Sequence, residues 1–400
     1  MVGGGPSGST VAGLLAGAGR DVTLVDRAHF PREKACGECL NPGGVATLRR
    51  LGLLETVLAT DPAPLEGWRL QTPEGISALG RFGPEVGHAL GVRRGAFDHA
   101  LLARARSLGV EVREGVQLQG ITLRDGLAVA HGRRVATGRP WSLRARIVVG
   151  ADGLRSMVAR ASRAWARPAR RIKTSLSWHL EGPPPDELVG HLLLGGPFTS
   201  GLAPVQKRGD RWLWSQTVVV DPARFQSRLR DDPEGLSDEA LSALTGSANP
   251  FSRLGPPRAS GPFDHPVRWA ARGRVLLVGD AAGYYDPLTG QGIYRALRSA
   301  ELAAPILLRS LDHPSDRDWL MESYDQALQS AFGSGRRLQR LIDHGLDRPA
   351  LRRAAIGLLG RQSGAASTLV GVTGDRLPPR RLLWPVAWST APLRADSSHL

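Results

Sequence analysis

The sequence is poor in cysteine, lysine and long apolar runs. Only two of its 400 residues are cysteines, and lysine stands only at positions 34, 173 and 207. No apolar run reaches the roughly 18–20 residues that a membrane helix needs, and the N-terminus lacks the charged-then-apolar pattern of a secretory signal. With 42% apolar residues, we expect a folded cytoplasmic protein that is at most peripheral to a membrane.

The formal net charge of +15 is carried almost entirely by arginine. The arginines are scattered in pairs such as Arg49-Arg50 and Arg336-Arg337, and no basic helix face carries interleaved aromatic residues. We therefore expect no nucleic-acid binding. A protein whose basic surface binds a membrane stays open as an alternative.

Cys36 and Cys39 form a C-x-x-C motif. A zinc site would need two further ligands, and the sequence has no second cysteine pair or H-x₃-H motif to supply them. No metal is therefore predicted, whereas a redox dithiol stays open.

The first residues carry a dinucleotide-binding pattern. G-x-G-x-x-G occurs as Gly3, Gly5 and Gly8, followed by a helical pattern closed near Gly19 and by the apolar run 22–25. Glycines allow close approach to a pyrophosphate, the helix start attracts it, and an acid at the next strand end accepts from a ribose hydroxyl. We place these residues in the cofactor site: Gly3, Gly5, Ser7, Gly8, Asp26 and Arg27.

The strand that should precede Gly3 is represented only by Met1 and Val2. The first strand of the expected sheet is thus largely missing from the chain. Loss of cofactor binding is one reading of this, and a start codon placed too late is the other.

Two further strands end in a carboxylate. The run 147–149 precedes Gly150-Ala151-Asp152-Gly153, and the run 275–278 precedes Gly279 and Asp280. The second corner continues into a loop with Pro287, Gly290 and Gly292 before a helix near Ile293. Carboxylates and helix starts at the carboxyl ends of parallel strands favour a polar cofactor there.

Several segments resemble one known group of proteins. FPREKACGE-x-LNPGGVATLRRLGL, beginning at Phe30, is similar to the geranylgeranyl reductase branch of the flavoprotein superfamily that includes the para-hydroxybenzoate hydroxylase-type monooxygenases. R-x-x-F-D at Arg94, G-A-D-G-x-x-S at Gly150 and GDAAGYYDPLTGQG at Gly279 resemble further superfamily signatures. Together these motifs cover roughly residues 3 to 300.

The resemblance implies FAD as the cofactor, bound in an extended form, and a role for several residues. It places Arg94 over the ribityl and phosphate region, Asp152 and Gly153 near the pyrophosphate, and Asp280 on the ribityl chain. Pro287 and Gly290 to Gly292 would pass by the isoalloxazine, with Gly279 in the same signature. Cys36, at a family cysteine position, would lie beside the ring on the substrate side as the catalytic candidate.

Departures from the family limit the reaction that can be predicted. Residues 198–204, FTSGLAP, lack the tryptophan of geranylgeranyl reductases and the W-x-W-x-I-P of flavin halogenases. We expect an FAD-dependent oxidoreductase, a reductase or a monooxygenase, acting on an isoprenoid-like, polyketide-like or aromatic small molecule. Since the sequence has no second dinucleotide motif, we expect NAD(P)H to visit the flavin directly as the transient reductant, or another carrier to supply the electrons. The alternatives are a flavin-free binding protein and a membrane-surface protein.

The expected fold is α/β, with a Rossmann-type FAD-binding domain, an inserted mostly antiparallel substrate sheet and a helical C-terminal region. We predict strands near 172–180, 191–194 and 212–220, and helices near 45–54, 98–108, 237–244, 317–328 and 351–359. Trp212 and Trp214 suit either a core or a substrate platform. The oligomeric state is not predicted. The domain boundaries are FAD-binding at 1–61, 91–164 and 266–310, substrate strands at 62–90 and 165–265, and helices with a loose tail at 311–400.

Overall fold

The computed structural model describes residues 1–169, 172–246 and 250–383. The expected loose tail from Leu377 therefore lies mostly outside the described residues. The α-helices are α1 Pro6–Gly17, α2 Pro42–Arg50, α3 Leu54–Leu58, α4 Arg94–Ser107, α5 Met157–Ala161, α6 Pro222–Asp231, α7 Pro233–Thr245, α8 Gly292–Asp312, α9 Arg317–Leu346, α10 Pro349–Arg361 and α11 Ser363–Thr373.

The strands are distributed over most of the chain before α8. They are β1 Thr23–Val25, β2 Cys39–Leu40, β3 Ala63–Leu65, β4 Gly67–Gln71, β5 Ser77–Arg81, β6 Ala89–Gly91, β7 Glu111–Arg113, β8 Val116–Arg124, β9 Leu127–Arg134, β10 Pro140–Ala145, β11 Val148–Gly150, β12 Thr174–Gly182, β13 Val189–Leu193, β14 Thr199–Arg208, β15 Arg211–Val220, β16 Ser252–Arg253, β17 Arg258–Ser260, β18 Ala271–Arg272 and β19 Val275–Leu277.

The first sheet is parallel at its centre and is completed by Val2. β1 pairs with β7 and β11 pairs with β19, both in parallel. Val2 bridges Val25 on one side and Gly150 on the other, also in parallel. Its N–H donates to Val149 O at 2.9 Å, and Ala151 N–H donates to its carbonyl at 2.7 Å. The two residues before Gly3 thus occupy the position of the first strand, between β1 and β11.

The second large sheet has eight strands from two distant parts of the chain. Its order is β16-β12-β15-β14-β13-β4-β5, with β17 also on β12. All pairs are antiparallel except β13 with β4. Segments 62–90 and 165–265 therefore both contribute to one mostly antiparallel sheet. The expected α/β fold class is confirmed.

Side-chain alternation gives this sheet two different faces. On one face, Trp178, Leu202 and Val218 pack with Leu236 and Leu241 of α7 in one core cluster. The helix expected at 237–244 does pack on the sheet. Trp214 is buried in the same cluster and Trp212 packs against it, so both tryptophans lie on the core face and do not form a substrate platform.

Several element boundaries differ from the sequence prediction for local reasons. α2 begins at Pro42 because Asn41 accepts from Gly44 N–H as an N-cap, and it ends at Arg50 before the separate α3. α4 begins at Arg94, four residues earlier than expected. Residues 116–145 form a separate antiparallel sheet, β10-β9-β8, that the sequence did not predict.

The C-terminal helices are longer than expected. α9 runs for 30 residues rather than 12, because its second half buries the polar residues Gln339 and Asp343 instead of continuing an apolar pattern. Asp343 accepts from Lys173 Nζ at 3.1 Å and from Tyr285 Oη at 2.9 Å. In the described part of the chain, no helix is long and apolar enough to cross a membrane.

Candidate functional site

One cavity of about 790 Å³ extends from the first sheet to the large antiparallel sheet. This is at the upper end of the range of roughly 300–1,000 Å³ for small-molecule sites. Thirteen of the fifteen predicted site residues line it: Gly3, Gly5, Ser7, Asp26, Arg27, Cys36, Arg94, Asp152, Gly153, Asp280, Pro287, Gly290 and Gly292. The corners at Gly5, Asp152 and Asp280 thus meet around one cavity.

The two other predicted residues lie directly behind the cavity wall. A Cβ on Gly8 would lie 1.9 Å from Gly3 O, and a Cβ on Gly279 would lie 2.8 Å from Ser7 Oγ. Gly3 has a φ of +102°, and a Cβ there would lie 2.4 Å from Ala151 O. Gly8 and Gly279 therefore allow the helix start to pack against the strand ends, and Gly3 both makes such a close contact and lines the cavity.

The nucleotide end of the cavity is formed by the start of α1 and by Asp26. α1 has no side-chain N-cap and begins at Pro6 on the cavity wall, so the N–H groups of its first turn suit a pyrophosphate. Asp26 accepts from Gly4 N–H at 2.7 Å and from Ala28 N–H at 2.8 Å. Each of its oxygens can accept a second hydrogen bond, as a ribose hydroxyl would require. Arg27 is exposed at the rim.

Asp152 is held by its own helix. Its carboxylate accepts from Ser156 Oγ at 2.5 Å, Met157 N–H at 2.6 Å and Val158 N–H at 3.1 Å, at the start of α5. Burial raises the pKa of Asp152 above its usual value, against the effect of these hydrogen bonds. The carboxylate therefore shapes the corner, while the neighbouring Gly153 offers backbone to the cavity.

Asp280 lies at the end of β19 and faces the cavity. Lys34 Nζ lies 3.8 Å from its carboxylate, and both side chains are partly exposed. The gap between this lysine and the carboxylate exceeds a hydrogen bond. Asp280 can thus accept from another group in the cavity.

Arg94 forms a buried ion pair instead of pointing freely into the cavity. Its Nε and Nη2 donate to the two oxygens of Asp98, each at 2.8 Å. Burial lowers the pKa of Arg94, but Asp98 and Cys36 outweigh it and raise the pKa above its usual range. The arginine that the resemblance placed over the cofactor is thus bidentately paired and also contacts Cys36.

Cys36 is half-buried and its Sγ accepts from Glu38 N–H at 3.3 Å. Both cysteines are free thiols. Burial raises the pKa of Cys39 to about 12, with the nearby Cys36 adding to the effect. A thiol with so high a pKa is a poor nucleophile at neutral pH, so the geometry does not favour the dithiol reading.

The sequence reasoning missed a hydrogen-bond network centred on Glu38. This residue is 1% exposed and has a φ of +55°, an uncommon conformation for a residue other than glycine. One carboxylate oxygen accepts from Arg94 N–H at 2.7 Å, and the other lies 2.8 Å from His179 Nε2 on β12. Glu38 therefore links the Cys36 loop to the large sheet. A cluster that could ligate a metal ion consists of Glu33, Glu38 and His179. Its two carboxylates already accept hydrogen bonds, Glu33 from the Arg93 side chain and Glu38 from the Arg94 N–H.

The sequence reasoning also missed Asp375, which follows α11. Its carboxylate accepts from Asn41 Nδ2 at 2.7 Å and from Gln291 Nε2 at 2.8 Å. Burial raises its pKa to about 7. Asp375 thus connects the C-terminal helices to the Cys36 loop and to the loop before α8. Glu38 lies in the FPREKACGE segment, but that motif does not indicate its partners, and Asp375 lies in no motif quoted above, so only the fold could reveal these contacts.

The other end of the cavity is formed by the second face of the large sheet and by the C-terminal helices. Thr199, Gly201 and Ala203 of β14 and Thr217 and Val219 of β15 line the cavity. The neighbouring Val218 and Val220 belong to the core cluster on the other face. The wall is mostly apolar. It includes Trp68, Leu70, Leu192, Leu194, Thr199, Gly201, Ala203, Thr217, Val219, Ile342, Leu369 and Val370.

Comparison with known proteins identifies the class. A family model described as "FAD binding domain" matches residues 1–331, and the chain belongs to this family. The menaquinone reductase of Mycolicibacterium smegmatis is 28% identical, over 86% of this chain and 83% of that protein. The digeranylgeranylglycerophospholipid reductase of Methanosphaerula palustris is 27% identical, over 83% of this chain and 82% of that protein. The expected relation to the geranylgeranyl reductase-like branch is thereby confirmed.

Solved structures show the same fold. The p-nitrophenol 4-monooxygenase PnpA from Pseudomonas putida superposes with a TM-score of 0.78 at 19% identity, covering 95% of this chain and 98% of that one. The chain spans 62% of the length of the flavin-dependent halogenase CmlS. The fold is therefore that of flavin-dependent enzymes with several different reactions.

The residues present fit FAD. The uncapped start of α1, the crowded contact of Gly8 with Gly3 and the acceptor Asp26 form one cradle at the nucleotide end. Gly153, Asp280 and Gly290 line the same cavity farther along. The cavity therefore offers lining residues along its whole length, as an extended dinucleotide would require.

Proposed function

We propose that this protein is an FAD-dependent oxidoreductase that acts on a lipophilic or aromatic small molecule. The observation that carries the proposal is that the nucleotide cradle and an apolar sheet face line one cavity. When bound, the isoalloxazine would supply the electron-transfer chemistry, and the protein would supply position and electrostatics. NAD(P)H is the proposed reductant.

The wall opposite the nucleotide end supports the choice of substrate class. Leu70, Leu192 and Leu194 contribute apolar side chains, and Thr199 and Thr217 add a few hydroxyl groups. A mostly apolar wall with few polar groups favours a hydrophobic ligand with a small number of oriented oxygens. Relatives whose names include menaquinone and digeranylgeranylglycerophospholipid reductases support the same class.

We propose that Cys36 contacts the reacting part of the substrate. It lies on the cavity wall between the Arg94 pair and the Glu38 network, which fix the loop that carries it. The Cys36→Ser variant should keep its flavin content, while Cys36→Ala should change turnover and the flavin absorption spectrum. Unchanged turnover and spectrum in Cys36→Ala would remove this role.

The proposed function can be tested on the purified protein. We expect a yellow protein that binds FAD with a stoichiometry near one. It should be bleached anaerobically by NADPH. The reduced flavin should then be reoxidised by a quinone or a prenyl compound in the absence of oxygen, or by oxygen with a phenol present as the substrate to be hydroxylated. Product analysis with and without oxygen then separates a reductase from a monooxygenase. A colourless protein that takes up no FAD would contradict the proposal and favour a flavin-free binding protein.

A further inference from the structure

Two C-terminal helices separate the substrate end of the cavity from the outside of the molecule. Ile342 of α9 lines the cavity. On α10, Ile356 and Leu359 pack with Leu70 and Leu194, which also line it. One side of α9 therefore lines the substrate end and one side of α10 packs behind its wall, while other residues of both helices are exposed.

The outward side of α10 is apolar. Leu351, Ala354, Ala355 and Leu358 are all exposed and follow an i, i+3, i+4, i+7 pattern, which places them on one helix face. Leu351 and Leu358 are 46% and 43% exposed. Leu341, next to the cavity residue Ile342 on α9, is 69% exposed. Exposed leucines concentrated on one helix face mark an interaction surface.

The same segment is strongly basic. Arg337, Arg348 and Arg361 are exposed and form no ion pair with any residue that the structure describes. Of the two acidic residues between positions 334 and 361, Asp343 is buried and bonded to Lys173, which leaves Asp347 as the exposed acid. An apolar face bordered by exposed arginines matches an anionic lipid surface, with leucines at the acyl boundary and guanidinium groups at the phosphates.

We propose that the outer face of α9 and α10, defined by Leu341, Leu351, Leu358, Arg337 and Arg361, docks on an anionic lipid bilayer. The inference deepens the proposed function, on which it rests for the lipophilic substrate. Docking on this face would set the substrate end of the cavity, rather than the nucleotide end, against the lipid. A hydrophobic substrate could then reach the cavity without crossing bulk water.

The test is sedimentation with lipid vesicles, using the FAD-loaded full chain. The wild-type protein should bind vesicles of phosphatidylcholine mixed with phosphatidylserine, bind pure phosphatidylcholine weakly, and be released by high salt. Leu351→Ser with Leu358→Ser, and separately Arg337→Gln with Arg361→Gln, should each lower binding by about tenfold or more. Melting temperature and flavin content should stay at the wild-type values, because these side chains are exposed.

The matched control is Leu123→Ser, since Leu123 is 70% exposed but lies on β8 of the separate β10-β9-β8 sheet rather than on α9 or α10. It should bind vesicles like the wild type. Equal binding by all variants would overturn the proposal. Self-association of the lipid-free protein in ultracentrifugation would also overturn the proposal if the α10 variants abolish it. The face would then be covered by a second copy of the chain. Vesicle binding is measured without turnover. The docking proposal can therefore fail while the proposed function holds, and the proposed function can fail while vesicle binding is observed.

Discussion

The two ends of the cavity are built in different ways. The nucleotide end consists of backbone turns, with Gly3, Gly5 and Gly153 at the ends of parallel strands. The substrate end consists of side chains from strands and helices that are far apart in the sequence, such as Leu70, Leu192 and Ile342. A backbone turn needs particular residues in a fixed order, whereas an apolar wall accepts many side chains. The first end therefore leaves a motif in the sequence and the second does not.

Replacing Gly8 should break the nucleotide end most severely. In Gly8→Ala the new Cβ would lie 1.9 Å from Gly3 O, so either the helix or the strand end must move. We expect a loss of about 3 kcal/mol or more in the free energy of unfolding and no detectable FAD binding. Chemical denaturation and flavin content measure the two effects.

Gly17→Ala in the same helix is the control, because a Cβ there meets nothing within 4 Å. It should change the free energy of unfolding by no more than about 1 kcal/mol and leave FAD binding intact. Loss of FAD in both variants would mean that α1 tolerates no change at all, and the contact argument would be wrong.

Asp375 connects the two ends and should make stability depend on pH. Burial raises its pKa from 3.8 to about 7 in the folded protein. The folded state therefore binds the proton more tightly than the unfolded state, so this contribution is complete below pH 3.8 and is lost as the pH rises through 7. The slope should reach at most about 1.4 kcal/mol per pH unit in that window.

Asp375→Asn should remove this slope, as seen in urea unfolding curves recorded at several pH values between the ordinary pKa of 3.8 and the raised pKa of about 7. Asp186→Asn is the matched control, because Asp186 is an exposed aspartate, and it should retain the wild-type slope. A wild-type protein whose stability does not fall over this range would contradict the assignment to Asp375.

Filling the substrate end should separate the two ends functionally. A Cβ on Gly201 would meet Leu192 Cδ2 at 3.4 Å and His191 O at 3.9 Å, so alanine fits, whereas leucine would project into the cavity. Gly201→Leu should weaken binding of a short-chain prenylated quinone, used as a probe of the proposed substrate class, by about tenfold, or about 1.4 kcal/mol, with FAD binding unchanged. Gly201→Ala should behave nearly as the wild type. If Gly201→Leu weakened FAD binding as much as it weakens binding of the quinone, the two ends would not be independent.

The smallest effect is expected at Lys34, at the nucleotide end. Its Nζ lies 3.8 Å from Asp280 and its side chain is 37% exposed, so solvent screens the interaction. Lys34→Gln should lower FAD affinity by less than about fivefold, with the difference fading at high salt. Calorimetric titration of FAD into the flavin-free protein at two salt concentrations measures it. A loss of binding as large as in Gly8→Ala would mean that charge, not backbone geometry, dominates this end.

The same contrast explains how much the sequence could predict. The three glycine and aspartate corners were located by motif, and the structure brings Gly5, Asp152 and Asp280 to one cavity. Their detailed contacts were harder to predict, because Asp152 caps α5 and Arg94 pairs with Asp98. Both depend on side-chain geometry within a helix start, which a motif does not specify.

The junction between the two ends was not predictable. Glu38 bonds to His179, which lies more than a hundred positions later, and Asp375 bonds to Asn41 from the far end of the chain. Such partners are chosen by the fold and not by local pattern. The second half of α9 was missed for a related reason, since Asp343 is buried by pairing with Lys173 rather than by apolar periodicity.

The parallel pairing of β4 with β13 in the large sheet has a consequence for biosynthesis. β4 lies between β5 and β13, and Gly67 is paired with Val189, which the ribosome adds about 120 residues later. Until then the β4–β5 hairpin presents an open edge with unpaired backbone groups, a template for wrong association. Completion of this sheet should therefore be a slow, late event in folding. Nascent chains that end before β13 should depend most on chaperones.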